Sequence, residues 1–308
     1  MRVLLLAACL ATATAAAQAA SFDCSKASTA AEKAICADPE LSNLDERLAE
    51  TYRAALSASF RPATLRQRQS TWLAERDRHS QPQALRQAYR TRLASLARIE
   101  AAARRARQEV TADQATVSCT LPPEADPDTT CAVEAFGAVD GDGSLRYQLQ
   151  AYKDGDLRTA SGAVVFRPSG AGLRAIAAVA EDDVRFDPPR MVDSPAGKLL
   201  LLPGHVSGTG NFNAEVVYRD HDGHLTELDT RSWRRELDRR LPDGFAVWKG
   251  VFPDYGTFTA STPLWQRSDG NCCPTAGRAD VKLDLQGDRL VIRDLAVARG
   301  ADAAESAR

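Results

Sequence analysis

Residues 38–56 have the sequence DPELSNLDERLAETYRAAL. Asp38 followed by Pro39 is typical of a helix start, because Asp caps the first free amides and proline is tolerated at the first helical position. Beyond this start, apolar side chains recur at spacings of three and four residues, which places them on one face of a helix. That face consists of Leu41, Leu44, Leu48, Tyr52 and Leu56.

Similar patterns on either side predict three more helices. Thr29 and Glu32 have the spacing of a capping box, in which each side chain accepts a hydrogen bond from the other residue's amide. A helix is predicted from Pro62 or Ala63 to about Arg78, with Leu65, Trp72 and Leu73 buried. The last helix has one apolar face made of Leu85, Tyr89, Leu93, Leu96 and Ile99. Four amphipathic segments with short connections predict a small antiparallel helical bundle over residues 21–109.

Residues 110–296 have a different composition, because all 19 glycines of the chain lie beyond residue 136 and apolar residues alternate with polar ones. Asp222-Gly223 predicts a hairpin before Leu225 and Leu228, and a helix is predicted from about Thr230 to Leu241. The predicted strands are Leu145–Ala151, Ala163–Phe166, Leu199–Leu202, Ala214–Tyr218, Phe245–Trp248, Gly256–Ala260 and Val281–Leu285. We therefore predict an α+β multi-domain protein. Its helical bundle is followed by a β-rich sandwich or open barrel with one added helix, and residues 297–308 form a flexible tail.

The first 19 residues have the organisation of a secretory signal peptide. A short positive start precedes an apolar stretch, and Ala17-Gln18-Ala19 is typical of a cleavage site. A lipoprotein route with an anchor on Cys9 is an alternative that we favour less, since the hydrophobic segment before it is short. The sequence thus predicts a periplasmic or secreted protein, with an outer-membrane lipoprotein as the less favoured case.

Six cysteines follow the predicted signal peptide. Cys24 and Cys36 are expected to bridge within the helical region. The adjacent Cys272 and Cys273 can join each other only through a strained eight-membered ring, so we expect one to pair with Cys119 and the other with Cys131. Four cysteines allow three connectivities, and the sequence alone does not choose among them. Zinc binding is a less favoured alternative, because the cysteine spacing is not that of zinc ligands.

Charge is distributed unevenly between the two halves. Residues 21–109 contain 16 basic and 11 acidic residues, whereas residues 110–308 contain 22 basic and 30 acidic residues. Ordinary solvated surface accounts for such a difference. The alternative is an acidic face that steers the protein toward a cationic partner.

Residues that would carry chemistry are sparse. The chain has four histidines and no H-E-x-x-H motif, and we find no nucleophile with a base at a recognisable spacing. The basic stretch from Arg61 to Arg107 lacks the interleaved aromatic residues typical of nucleic-acid binding. We therefore predict a non-enzymatic protein with no catalytic residues, no cofactor, no metal site, no nucleic-acid partner and no transmembrane segment.

A set of residues in the helical region forms a recognisable pattern. The set consists of Phe22, Asp23, Cys24, Glu32, Lys33, Ile35, Cys36, Asp38, Pro39, Leu41, Leu44, Asp45, Tyr52, Trp72, Leu73, Arg76, Tyr89 and Arg92. Over about residues 21–100 the pattern resembles the N-terminal domain of the lysozyme inhibitor LprI family. One departure is clear. The family usually has a second cysteine pair after the Trp-Leu and Arg-Asp segment, where this chain has Arg78-His79 and Ala84-Leu85.

The resemblance implies an exported bacterial protein, in some family members an inhibitor of c-type lysozyme. The expectation is an envelope protein that binds a muramidase and occludes its cleft. The acidic second half supports this, because lysozymes are usually cationic and opposite charge speeds association. The alternative is a structural or scaffolding envelope protein that binds another exported protein or peptidoglycan.

Overall fold

The computed structural model describes residues 20–122, 129–141, 143–206, 208, 210–270 and 272–300. Within these ranges the chain forms two compact units. The first unit comprises the described residues up to Arg53 together with Ser70–Ala94. The second comprises Ala54–Gln69 together with the described residues from Ser95 onward. This division falls inside helices, and the domain bounds given by composition, 21–109 and 110–296, stay a prediction.

Helices occupy the chain from Cys24 to Val117. A short 3-10 turn at Cys24–Lys26 precedes α1 (Ala30–Ala37), α2 (Pro39–Ala58), α3 (Pro62–Arg76), α4 (Pro82–Ala106) and α5 (Ala112–Val117). The capping box forms as predicted, since Glu32 N donates to Thr29 Oγ1 at 3.1 Å and Thr29 N donates to Glu32 Oε2 at 2.9 Å. Asp38 caps α2 by accepting from the Glu40 and Leu41 amides at 2.9 and 3.2 Å.

One predicted core residue of α3 is not in the core. Leu73 is 36% exposed, so its predicted burial is wrong. The inward face of α3 instead follows Leu65, Gln69, Trp72 and Arg76, which recur at helical spacings and are buried or half-buried. Leu73 lies about 100° around the helix from Trp72 and therefore faces solvent.

The strand-rich part contains three four-stranded antiparallel sheets and a two-stranded pair within the described residues. The sheet orders are β1-β2-β3-β4, β10-β9-β7-β6 and β11-β12-β13-β14, and β5 pairs with β8. The strands are β1 (Thr130–Ala138), β2 (Arg146–Asp154), β3 (Leu157–Ser169), β4 (Gly172–Asp182), β5 (Val184–Phe186), β6 (Arg190–Ser194), β7 (Gly197–Leu202), β8 (Gly204–Val206), β9 (Val216–His221), β10 (His224–Glu227), β11 (Phe245–Ala246), β12 (Thr259–Gln266), β13 (Gly277–Gln286) and β14 (Arg289–Arg299).

The predicted fold class is confirmed, with helices first and then antiparallel sheets with one extra helix. That helix, α6 (Ser232–Arg240), buries Trp233 and Leu237. The hairpin is also present. His221 pairs with His224, and the loop residues Asp222 and Gly223 have φ values of 51° and 83°, the left-handed conformation that a two-residue hairpin loop requires.

Two of the predicted strands depart from their expected bounds. Phe245–Trp248 is paired only at Phe245 and Ala246. Gly256–Phe258 form a turn before β12, in which the Asp254 side chain accepts a hydrogen bond from Gly256 N at 2.8 Å and Phe258 has a φ of 54°. A side chain that satisfies the backbone amide in this way competes with strand pairing.

The cores of the second unit divide into three clusters. One packs α6 against strands around Trp233 and Leu264, and another lies among the strands around Val165 and Leu200. The third joins helical and strand residues. We call it the Phe60 cluster, and it consists of Ala58, Phe60, Ala102, Ala103, Ala106, Ala115, Leu121, Val164, Phe166, Leu173, Ala175 and Ala178.

The disulfides correct one expectation. Cys24 pairs with Cys36 as predicted, but Cys119 pairs with Cys131, and Cys272 pairs with its neighbour Cys273. The prediction that Cys272 and Cys273 each bridge to Cys119 or Cys131 is wrong. Cys119 follows α5, which contacts β1, and this brings its Cα to 6.2 Å from that of Cys131, within bridging range.

Three predictions concern residues that are not described. The signal peptide and the Cys9 anchor fall within residues 1–19, and most of the predicted tail falls within residues 301–308; both lie outside the described ranges. The first residues of that predicted tail are paired in a sheet, because β14 continues to Arg299 and pairs it with Gly277.

Candidate functional site

Several residues of the pattern quoted above meet at the carboxylate of Asp45 in the first unit. Tyr89 Oη donates to Asp45 Oδ1 at 2.7 Å, and Ser21 N donates to Oδ2 at 2.8 Å. Asp45 lies on α2 and Tyr89 on α4, and both side chains are buried. Asp45 therefore ties two helices and the start of the described chain to one point.

Arg76 completes this cluster from α3. Its Nη1 lies 3.7 Å from Asp45 Oδ1 and donates to Tyr89 Oη at 3.2 Å, and its Nη2 donates to Asp77 Oδ1 at 2.6 Å. Trp72 packs edge-on against the Tyr89 ring at 5.4 Å, with the Arg76 guanidinium 5.9 Å from the Trp72 ring centre. Each charge thus has a partner, which a buried charge requires.

The protonation of Tyr89 follows from this setting. Burial, reinforced by the neighbouring Asp45 carboxylate, raises the pKa of Tyr89 well above its ordinary value. The phenol therefore stays protonated and remains a donor to Asp45. We conclude that Asp45, Trp72, Arg76 and Tyr89 form a structural frame, the Asp45 cluster, rather than a surface that touches a partner.

The other residues of the pattern have mixed positions. Ile35, Leu41 and Leu44 are buried, and Phe22, Tyr52 and Arg92 are half-buried. Asp23, Glu32 and Asp38 accept hydrogen bonds from backbone amides at the starts of helical segments. Two backbone donors, the amides of Thr29 and Ser28, lower the pKa of Glu32 to about 2. Lys33, Pro39 and Leu73 are exposed.

A groove on the first unit is the candidate binding surface. It measures about 460 Å³ and runs between α2 and α4. We call it the α2/α4 groove, and its lining residues are Pro39, Glu40, Asn43, Leu44, Arg47, Arg90 and Leu93. Pro39, Leu44 and Leu93 supply apolar surface, and charged side chains surround them.

The groove's rim carries paired and unpaired charge. Arg90 Nη2 donates to Glu40 Oε1 at 2.9 Å, and Arg90 is 61% exposed. Arg86, one helical turn earlier on α4, pairs with Asp38. Arg47 is exposed, and among the described residues its guanidinium makes no ion pair. An apolar floor surrounded by charged side chains is the arrangement found in protein-binding surfaces.

Sequence reasoning identified only part of this groove. Pro39 and Leu44 belong to the family-like pattern and Leu93 to the predicted apolar face of the last helix, whereas Asn43, Arg47 and Arg90 were not singled out. The signal was available in α2, because positions 40, 43, 44 and 47 have the spacing of one helical face. No sequence signal pointed to the pairing of that face with α4.

The second unit contains a buried ionic cluster that sequence reasoning missed, which we call the Arg61 cluster. Arg61 pairs with Glu181 of β4 and Glu227 of β10, its Nε lying 3.0 Å from Glu227 Oε1. Arg68 Nη2 also bonds Glu181 at 2.7 Å. Burial alone would raise the pKa of Glu181, but the charges of Arg61 and Arg68 outweigh it and the pKa is lowered. This cluster anchors the start of α3 to the strands.

Within the described residues no helix combines the length and the hydrophobicity that a membrane crossing needs. The same part of the chain has no group of three His, Cys, Asp or Glu side chains arranged to hold a metal ion.

The Asp45 cluster and the α2/α4 groove both lie within residues 24–115, the part of the chain that matches a known protein family. The chain is 40% identical over 81 residues to proteins named Lipoprotein LprI from Mycobacterium bovis and Mycobacterium tuberculosis. The alignment covers 25% of this chain and 41% of those relatives, so the chain spans about two fifths of the relatives it matches. No solved structure matches the chain. The resemblance predicted from the sequence is confirmed, because residues 24–115 match the family model described as lysozyme inhibitor LprI.

Proposed function

We propose that this protein is an exported, non-enzymatic inhibitor that binds a c-type lysozyme and occludes its cleft. The observation that carries the proposal is the match of residues 24–115 to a family whose description is a lysozyme inhibitor. In this chain the same residues hold a groove and the hydrogen-bonded Asp45 cluster, and a preformed binding surface reduces the ordering cost of association.

The α2/α4 groove is the proposed contact surface. A lysozyme cleft carries two catalytic carboxyl groups. At the rim of the groove's apolar floor, Arg47 has no ion pair within the described residues, and the exposed Arg90 is paired with Glu40. Charge complementarity of this kind fixes orientation and raises the association rate. The excess of acidic residues in residues 110–308 adds a long-range attraction for a cationic enzyme.

The test is a titration of the mature protein into a c-type lysozyme activity assay with a labelled cell-wall substrate. The charge-reversal variant Arg47→Glu/Arg90→Glu is expected to weaken inhibition by about tenfold or more, since close interfacial charge pairs contribute several kcal/mol. A matched control, Arg53→Glu/Arg78→Glu, reverses the same number of exposed arginines in the same unit away from the groove.

Each result of this titration bears on a different part of the proposal. No inhibition by the unmodified protein at micromolar excess rejects lysozyme binding. Equal losses for the groove variant and its control reject the α2/α4 groove while leaving inhibition in place. A loss confined to the groove variant supports both.

Export is the second part of the proposal. Cleavage after Ala19 would leave Ala20 as the first residue, and Ala20 is buried while Ser21 N bonds Asp45 at 2.8 Å. A mature chain starting there has an ordered beginning. Sequencing the N-terminus of the mature protein is expected to read Ala20-Ser21-Phe22, whereas an acylated Cys9 would replace this route by lipid anchoring.

A second candidate function is binding to peptidoglycan as an envelope scaffold. It is favoured by an exposed aromatic surface on the second unit, where Phe212, Trp248 and Phe252 are among the most exposed large apolar side chains described. Asn213 joins the segment that carries Phe212 to the segment that carries Trp248 and Phe252. Its side chain accepts a hydrogen bond from Val251 N at 2.7 Å and donates one to Val251 O at 2.8 Å. Exposed apolar patches of this kind mark binding sites. Co-sedimentation with purified sacculi, lost in Trp248→Ala, would support this role.

A further inference from the structure

The turn between β12 and β13 carries the Cys272–Cys273 disulfide, which joins residues one position apart. Both cysteines are exposed. In the other two bridges at least one partner is half-buried, namely Cys36 in one case and both Cys119 and Cys131 in the other. Access of an attacking thiolate to a sulfur atom governs the rate of thiol–disulfide exchange. Cys272–Cys273 is therefore the most accessible bridge that the structure describes.

The turn does not depend on this bridge for its shape. The Asp269 carboxylate accepts hydrogen bonds from Gln266 N at 3.0 Å, from Thr275 N at 2.8 Å and from Thr275 Oγ1. These bonds join the end of β12 to the residues before β13 across the base of the turn. Inside the turn, Cys273 N donates to Gly270 O at 3.1 Å. None of these atoms is a sulfur, so we expect the turn to stay in place when the bridge opens.

The sequence separation that each bridge spans also indicates that the fold depends little on Cys272–Cys273. Cys24–Cys36 and Cys119–Cys131 each span a sequence separation of 12, whereas Cys272–Cys273 spans 1. A disulfide stabilises a fold chiefly by restricting the unfolded chain, and the effect grows with the loop that it closes. Adjacent residues are restricted by their own peptide bond. Reduction of Cys272–Cys273 is therefore expected to cost little fold stability.

We propose that Cys272 and Cys273 form a reversible thiol–disulfide exchange site whose reaction partner is an exported dithiol of the oxidoreductase class. A thiolate of the partner attacks one sulfur and forms a mixed disulfide, and the other cysteine leaves as a thiolate. The second thiol of the partner then attacks the mixed disulfide and releases the first cysteine. Overall, the protein disulfide gains two electrons and two protons, and the partner dithiol becomes a disulfide.

The Asp269 hydrogen bonds also explain why the reaction would reverse readily. They keep the turn formed after reduction, and the intervening peptide bond keeps the two thiols next to each other. A thiol held beside its partner reacts as if it were at high local concentration. Oxidation by a disulfide donor is thus expected to restore the bridge while the protein stays folded.

The test is partial reduction of the folded, full mature protein with limiting dithiothreitol, followed by alkylation and peptide mapping. Trypsin cleavage after Arg267 and Arg278 gives the peptide Ser268–Arg278, which contains both cysteines of the site and no other. We expect this peptide to acquire two alkyl groups at least about tenfold faster than the peptides of the other two bridges. Far-UV circular dichroism is expected to stay unchanged at that point.

Two variants separate the site from general disulfide reduction. Cys272→Ser/Cys273→Ser is expected to abolish the fast phase, whereas Cys119→Ser/Cys131→Ser is expected to keep it. Asp269→Ala, which removes the hydrogen bonds across the turn, is expected to slow reoxidation several-fold with little change in the rate of reduction. The proposal is overturned if the map shows Cys272 or Cys273 bridged elsewhere, if their reduction is no faster than that of Cys24–Cys36, or if selective reduction unfolds the protein.

Discussion

The Asp45 cluster and the Arg61 cluster both bury charged side chains beside a helix, but their members lie at very different separations along the chain. Tyr89 is 44 residues from Asp45, whereas Arg61 meets Glu227 across 166 residues and Glu181 across 120. The first cluster lies inside one family pattern and one helical unit. The second joins sequence blocks that look unrelated in composition. A sequence motif can therefore mark the residues that hold one helical unit together. The contacts that join the helical part of the sequence to the strand-rich part are made by residues that no motif marks.

The largest loss of stability is expected from Arg61→Ala. The change leaves the carboxylates of Glu181 and Glu227 without their shared partner, and removing one side of a buried ion pair costs about 3–5 kcal/mol. We expect a loss of this size in the free energy of unfolding measured by urea titration. Arg66→Ala, an exposed position on α3, the helix that begins just after Arg61, is the control and should change stability by no more than about 0.5 kcal/mol. Similar losses in both variants would contradict a structural role for the cluster.

The two longer disulfides give a matched test of the units. Cys24–Cys36 and Cys119–Cys131 have the same sequence separation of 12, so loop entropy predicts the same stabilisation of about 3 kcal/mol for each. Serine substitution of either pair is expected to cost about that much. Hydrogen exchange read by mass spectrometry should place the loss from Cys24→Ser/Cys36→Ser in the first unit. Faster exchange spread evenly over both units would show that they unfold together.

A smaller effect is expected from Tyr89→Phe. The change removes only the hydroxyl that donates to Asp45, and leaving a buried acceptor short of a donor costs about 1–3 kcal/mol. Tyr52→Phe is the control on the neighbouring helix, because within the described residues the Tyr52 hydroxyl makes no hydrogen bond. Thermal unfolding should separate the two variants. Equal melting temperatures would mean that water replaces the hydroxyl at no cost.

The smallest effect is the pH response of the α1 cap. The pKa of Glu32 is lowered to about 2 in the folded chain from an ordinary value of 4.5. Stability from this carboxylate is therefore fully present above pH 4.5 and is lost as the pH falls toward 2. The stability difference between the unmodified protein and Glu32→Gln should shrink over that range. A difference that persists at the acid end would assign the effect to side-chain shape rather than charge.

The sequence was sufficient for the parts of the fold that depend on near neighbours. The Asp38-Pro39 start, the Thr29–Glu32 box and the Asp222-Gly223 hairpin all involve residues within four positions, and the structure contains each. Leu73 was misplaced because a one-residue shift on a helix turns a side chain by about 100°. The strand β4 was missed, since its Ala-rich sequence has only two β-branched residues, Ile176 and Val179, and no aromatic residue to mark a strand.

The candidate groove and the disulfide pairing show the same limit. The face of α2 that lines the groove has a visible spacing, but its partner face on α4 depends on how the helices pack. Likewise, Cys119 and Cys131 come together because α5 contacts β1, which no local pattern encodes. Residues close together in the sequence determine the helices and turns, whereas packing between distant segments determines which of their surfaces come into contact.

The Phe60 cluster has a consequence for how this chain can be divided. Phe60 lies under the Arg107 guanidinium at 4.0 Å, and its carbonyl accepts from Tyr218 Oη at 3.2 Å. Its alanine neighbours on α4 and α5 share one core with β3 and β4. A cut after residue 109 would therefore expose apolar surface on both fragments. The helical residues therefore cannot be transferred to another protein alone. A transferred segment must include the face of β3 and β4 on which they pack.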